Sequence, residues 1–186
     1  MRINRVMAAC FIITSLFTIS IFAAPFAVRT GEVRNLEGNA WKIDYREKWD
    51  AMPLFPRIVY YIGDINCHQK YYRSYCLNEN QMPVCSRDTG LLIGLSSAFF
   101  VFMFSERKST IKATAISIFR NKIKDAKKII ILFLIFILPA VTDGFLQLLT
   151  SYESNNAFRF ATGFLMGMSI SFFVSLMLLT DPRISS

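Results

Sequence analysis

Apolar residues run almost unbroken from Val6 to Val28, Thr89 to Ser105, Ile129 to Leu149 and Phe158 to Leu179. A hydrocarbon core about 30 Å thick takes about 20 helical residues at about 1.5 Å each. The pattern therefore predicts an all-α integral membrane protein, a four-helix transmembrane bundle. The first run follows a short basic head and is long for the core of a cleavable leader ending near Ala23-Ala24 or Ala27. A retained first helix within residues 1–28 fits it better. Segment 89–186 carries the other three spans, the third broken by Pro139 and then by Asp143, Gly144 and Gln147.

Between the first two runs lies one long mixed segment, 29–88, punctuated by Gly31, Gly38, Pro53 and Pro56, which disfavour long regular elements. Trp41, Tyr45 and Trp49 recur every fourth residue, the spacing of one face of a short helix. That face suits the lipid headgroup level, or equally a small cluster packing the loop together. Leu54 to Ile65 is apolar, too short to span, and holds Arg57 and Asp64; it reads as a short interfacial helix leading into Cys67.

Charge sets the direction of threading. The net charge of +8 would invite a nucleic-acid partner on a soluble domain, but 53% of the 186 residues are hydrophobic and the excess is local. Arg107, Lys108, Lys112, Arg120, Lys122, Lys124, Lys127 and Lys128 face only Glu106 and Asp125 within 106–128. Such a loop is expected on the cytoplasmic side. Both termini then lie inside, segment 29–88 lies outside in a cell membrane, and the partner is the lipid bilayer rather than nucleic acid. Ile111 to Ile123 spaces its apolar residues as an amphipathic surface helix does.

Spans two and four run in the same direction and open alike, with Gly90 and Gly94 in one and Gly163 and Gly167 in the other. Small residues four apart let helix backbones approach closely where no hydrophobic drive exists, so these two spans are expected to pack together there.

Asp143 is the most unusual residue within a span. It lies roughly 21 Å along a helix begun at Ile129, where an unpaired carboxylate costs on the order of 2.5–3.5 kcal/mol. It needs a partner, and Arg87 and Arg159 are the candidates. The pair serves either a functional site or simply the tying together of helices.

The motifs Cys67-His68-Gln69, Arg73-Ser74, Pro83-Val84-Cys85-Ser86-Arg87-Asp88-Thr89-Gly90, Asp143-Gly144-Phe145-Leu146-Gln147 and Ser154-Asn155, with Arg159, Thr162 and Gly163, occur in that order. In them the chain resembles the prokaryotic membrane family called domain of unknown function 2085, over roughly Ile58 to Phe173. The resemblance implies membership and the position of a site, not a mechanism. The family's pattern often has a second cysteine where Asp88 stands; with Cys85-x-x-Asp88, this chain has no dithiol pair there.

The threading brings the polar residues to the outer face. Cys67, His68, Cys85 and Asp88 offer two thiolates, an imidazole and a carboxylate, a set that suits Zn²⁺ with four ligands or with three and an open position. Adjacent Cys67 and His68 must lie in a bend to chelate together; if one does not, Asp143 or water completes the shell. A metal-bound water with Asp143 or His68 as base would support hydrolysis. Arg73, Arg87, Arg159, Gln147 and Asn155 are the groups expected to hold an anionic or lipid-linked ligand. The competing reading is a non-enzymatic scaffold or subunit with a structural disulfide among Cys67, Cys76 and Cys85.

Overall fold

A computed structural model describes residues 3–119, 123 and 125–183. The first helix, α1 (Arg5–Ala23), starts where Asn4 accepts hydrogen bonds from the backbone N–H groups of Val6 and Met7, at 3.1 and 3.3 Å. Its apolar run continues into a 3-10 turn at Ala24–Phe26. Two short helices follow, α2 (Arg46–Asp50) and α3 (Leu54–Asn66). A hairpin then pairs β1 (Cys76–Leu77) with β2 (Asn80–Gln81) in antiparallel register, Cys76 opposite Gln81. The rest is helical: α4 (Ser86–Phe102), α5 (Ile111–Ile118), α6 (Ala126–Leu149) and α7 (Asn156–Leu179).

Three of these are long and apolar enough to cross a membrane: Arg5–Phe26, Ala126–Leu149 and Asn156–Leu179. The second predicted span appears as α4, 17 residues, packed between α1 and α7; α6 packs against α7. Pro139 sits inside α6 without ending it. The predicted amphipathic helix appears as α5, shorter than expected and with Thr114, Ala115, Ser117 and Ile118 buried. Arg120, Asn121, Lys122 and Lys124 of the basic loop lie outside the described residues.

The pairing of α4 with α7 rests on the glycines. A Cβ at Gly90 or Gly94 would collide with the carbonyl oxygen of Phe160 or Phe164, and one at Gly163 or Gly167 with that of Arg87 or Leu91. The contacts advance together along both helices, as parallel helices require. Backbone lies directly on backbone, so no side chain larger than hydrogen fits at these four positions.

Toward the end holding both described chain ends, α1, α4, α5, α6 and α7 share an apolar core in which Phe133 stacks on Phe172 at 4.0 Å. Asn4 N–H donates to Met103 O at 2.8 Å and Asp181 N–H to Lys108 O at 3.0 Å, so the two ends meet the same turn.

At the opposite end, segment 29–85 has a core of its own. Val33, Leu36, Trp49, Met52, Val59, Tyr60, Met82 and Val84 are buried against Ile21 and Ala24 of the first helical segment. Trp49 stacks on Tyr60 at 5.0 Å. The helix expected to carry Trp41, Tyr45 and Trp49 on one face does not form. Trp41 has φ 69° and is 83% exposed, α2 begins only at Arg46, and Trp49 turns into the cluster. What redirects the chain is Asp64. Buried on α3, its Oδ2 accepts from the N–H groups of Asp44 (3.0 Å) and Tyr45 (3.1 Å) and from Trp49 Nε1 (2.8 Å). One carboxylate oxygen thereby satisfies three donors, two of them backbone N–H groups that a longer helix would have used elsewhere.

Candidate functional site

Two close approaches bring distant cysteines together. Gly63 on α3 lies against the carbonyl of Pro83, where a Cβ would collide, and Gln69 Nε2 donates to the same carbonyl at 2.8 Å. Gln69 adopts φ 45° and is fully buried. Gln81 Nε2 holds it in turn by donating to its carbonyl at 2.5 Å. With Cys67 and Cys85 flanking this contact, the Cys85 N–H donates to Cys67 Sγ at 3.2 Å and Cys85 Sγ donates to Asp88 Oδ2 at 3.2 Å.

The ligand atoms of Cys67, Cys85 and Asp88 all lie within 4.8 Å of one another. Zinc–sulfur bonds of about 2.3 Å place tetrahedral neighbours on the order of 3.5–3.8 Å apart, so small side-chain shifts suffice for these three to share an ion. His68 is not one of the three; it is exposed on the rim of the adjoining cavity, and its ring has no hydrogen-bond partner among the described residues. The hydrogen bond with Cys85, together with burial, pushes the Cys67 thiol above its ordinary range. All four cysteines are free in this structure, and Cys76 is exposed on β1.

These residues wall a cavity of about 320 Å³, completed by Trp41, Lys70, Arg73, Arg87, Gln147 and Arg159. Its arginines are held by a network that crosses three elements. Arg87 on α4 pairs with Asp143 on α6. Asp143 Oδ2 also accepts from Gln147 Nε2 (2.6 Å) and Ser154 Oγ (3.1 Å). Arg159 on α7 donates through Nε to Ser154 Oγ at 3.0 Å and through Nη2 to Gln147 Oε1 and Glu153 Oε2, both at 2.9 Å. Arg73 pairs with the other oxygen of Glu153. Burial works against the Glu153 charge, but Arg73 and Arg159 outweigh it and hold the carboxyl below its ordinary range.

The expected residues therefore divide. Arg73, Arg87, Arg159, Gln147, His68, Cys67, Cys85 and Asp88 meet at one cavity. Asp143 does not line it: the residue is 2% exposed and lies behind Arg87 and Gln147, positioning both. Asn155 does not line the cavity either. Its side chain accepts from the Phe158 N–H at 2.8 Å and so caps α7. Reasoning from sequence missed Lys70, Glu153 and the hub role of Ser154. Within the Ser154-Asn155 motif, Ser154 joins Asp143 to Arg159 while Asn155 caps the helix.

Of the cavity's groups, Lys70, Arg73, Arg87 and Arg159 are cationic, against Asp88 in the wall and Asp143 and Glu153 behind it. One positive charge remains over. Arg159 is 2% exposed, and its Nη1 has no hydrogen-bond partner among the described residues; Nε of Arg73 and of Arg87 are likewise unpaired.

Long apolar helices around an interior ion-pair network define a helical membrane protein with a polar pocket at one end. Over residues 67–173 the chain matches the family described as predicted membrane protein (DUF2085), and it belongs to that family. It is 32% identical over 105 residues to an uncharacterized protein of Methanothermobacter thermautotrophicus, covering 56% of this chain and 80% of that one. It is 27% identical over 159 residues to an uncharacterized protein of Methanocaldococcus jannaschii, covering 86% of this chain and 83% of that one. No solved structure matches it.

Proposed function

We propose that the chain crosses the cell membrane four times with both termini cytoplasmic, and that its outer-face cavity binds an anionic ligand beside a metal. In this reading residues 1–28 make the first crossing and 29–88 form the extracytoplasmic loop. Segment 89–186 supplies the other three crossings. The exposed apolar side of α3 (Leu54, Phe55, Ile58, Ile62, Ile65) fits an interfacial helix.

The observation that carries the ligand reading is Arg159. A buried guanidinium with an unused donor is costly unless something anionic completes it. Its neighbours Arg73 and Arg87 also have spare donors, so a phosphate or carboxylate group meets several N–H groups at once. Cys67, Cys85 and Asp88 are the metal ligands, and zinc is the cofactor their two sulfurs favour. With three protein ligands an open position is left, which supplies Lewis-acid or water-activating chemistry when the ion is bound. His68, on the rim, is placed to exchange protons with a bound ligand. Asp143 acts by positioning Arg87 and Gln147.

Two measurements on the full chain in detergent test this. Pyrophosphate should bind the native protein and lose at least ~10-fold affinity in Arg159→Gln, since charge-assisted hydrogen bonds are worth about 1.5–3 kcal/mol. One equivalent of zinc should be retained and then lost in Cys85→Ser. Absence of pyrophosphate binding, or unchanged binding in the variant, overturns the anion reading. A native protein free of zinc after reconstitution overturns the metal one.

A further inference from the structure

We infer that the ligand is a membrane lipid with a net anionic phosphate headgroup, and that its apolar chain lies in a groove between α4 and α6. The inference rests on the anion reading above and extends it to the class of molecule. Helix α7 packs against both α4 and α6, and α6 leaves a groove of about 380 Å³ along α4. Leu91 forms one wall and Ala140, Val141, Gly144, Phe145 and Leu148 the other, with Met166 of α7 between them. These positions repeat at one helical face on each side.

Two residues line both the groove and the polar cavity: Arg87 and Asp88. The apolar slot and the cationic pocket therefore adjoin at Arg87 and Asp88. A soluble anion needs only the pocket. A lipid uses both: its headgroup meets Arg73, Arg87 and Arg159 while one chain follows the groove. The space beside Gly144 is open: a Cβ there would meet only Arg87 Nη1, at 3.8 Å. Val141, Phe145 and Leu148 are 42%, 60% and 78% exposed, so the wall is accessible from the bilayer.

The test uses the full chain in nonionic detergent, with dioleoyl phosphatidic acid, phosphatidylcholine and the tail-less glycerol 3-phosphate as probes, read by native mass spectrometry. Phosphatidic acid should bind at least ~10-fold more tightly than glycerol 3-phosphate. Filling the groove with Gly144→Leu or, further from Arg87, Val141→Trp should cost phosphatidic acid ~10-fold and leave glycerol 3-phosphate unchanged. Equal affinity for the two phosphates, or native affinity for phosphatidic acid in both filled variants, overturns the groove while leaving the anion pocket standing. Phosphatidylcholine binding as tightly as phosphatidic acid would show ordinary contact with bulk lipid and overturn it too. If neither phosphate binds, the pocket and the groove fall together.

Discussion

Asp143 shows how one carboxylate sets the geometry of a site it does not touch. Its Oδ2 collects Arg87, Gln147 and Ser154, and Gln147 and Ser154 each pass the constraint on to Arg159. Replacing it with Asn keeps the shape but strips Arg87 of its counter-charge and turns an amide N–H toward existing donors. Breaking a buried pair from one side typically costs about 3–5 kcal/mol. The Arg87 side chain is 26% exposed and gains some water, which puts Asp143→Asn toward the lower end, about 3 kcal/mol. Thermal denaturation in detergent should show a clear loss for Asp143→Asn and partial recovery in Asp143→Asn/Arg87→Gln. A double variant less stable than the single would mean that Arg87 is held mainly by something else. The need of Asp143 for an arginine was legible in sequence, because a charge inside an apolar run must find a partner. Its removal from the cavity wall was not, since that depends on which rotamer Arg87 adopts between the two.

At the scale of elements, α4 and α7 depend on closeness rather than on apolar bulk. Gly163 faces the Arg87 carbonyl directly, so Gly163→Ala must push the helices apart at the level of the cavity. Gly144 has open space, and Gly144→Ala makes only an ordinary contact at 3.8 Å. The two substitutions have the same intrinsic helix propensity change, a gain of about 1 kcal/mol in a free helix. Their difference in melting temperature therefore reports the interface alone: Gly163→Ala should lower it markedly and Gly144→Ala leave it level or raised. Equal effects would refute the close packing. This pairing was readable because small-xxx-small spacing appears twice in parallel spans, a signal carried within each element. The fold of 29–85 was not readable in the same way. Trp49 and Trp41 look equivalent by spacing, and only the distant Asp64 on α3 decides which of them is buried. Asn78 and Glu79, at φ 51° and 58°, make a tight two-residue hairpin turn without the usual glycine.

For the molecule as a whole, the arrangement of ends and core lets a topology experiment decide its orientation. The described chain ends and the turn after α4 meet at one end, while the cavity and the hairpin lie at the other. Positive residues crowd the first end: Arg5, Arg107, Lys108, Lys112, Lys127, Lys128 and Arg183 stand against Glu106, Asp125 and Asp181. Each Lys or Arg in a short loop biases that loop toward the cytoplasm, whereas segment 29–88 mixes both signs. The protein supplies its own probe. Cys76 is exposed on β1, Cys67 is buried, and Cys10 lies within α1. In intact cells a membrane-impermeant maleimide should label the native chain, and Cys76→Ser should remove most of that signal. Cys85 is half-buried and contributes the slower remainder, which added zinc should suppress if Cys85 is a metal ligand. Labelling of Cys76 only in inverted vesicles would turn the molecule over: the cavity would then face the cytoplasm, and a lipid reaching Arg87 through the α4–α6 groove would come from the inner leaflet.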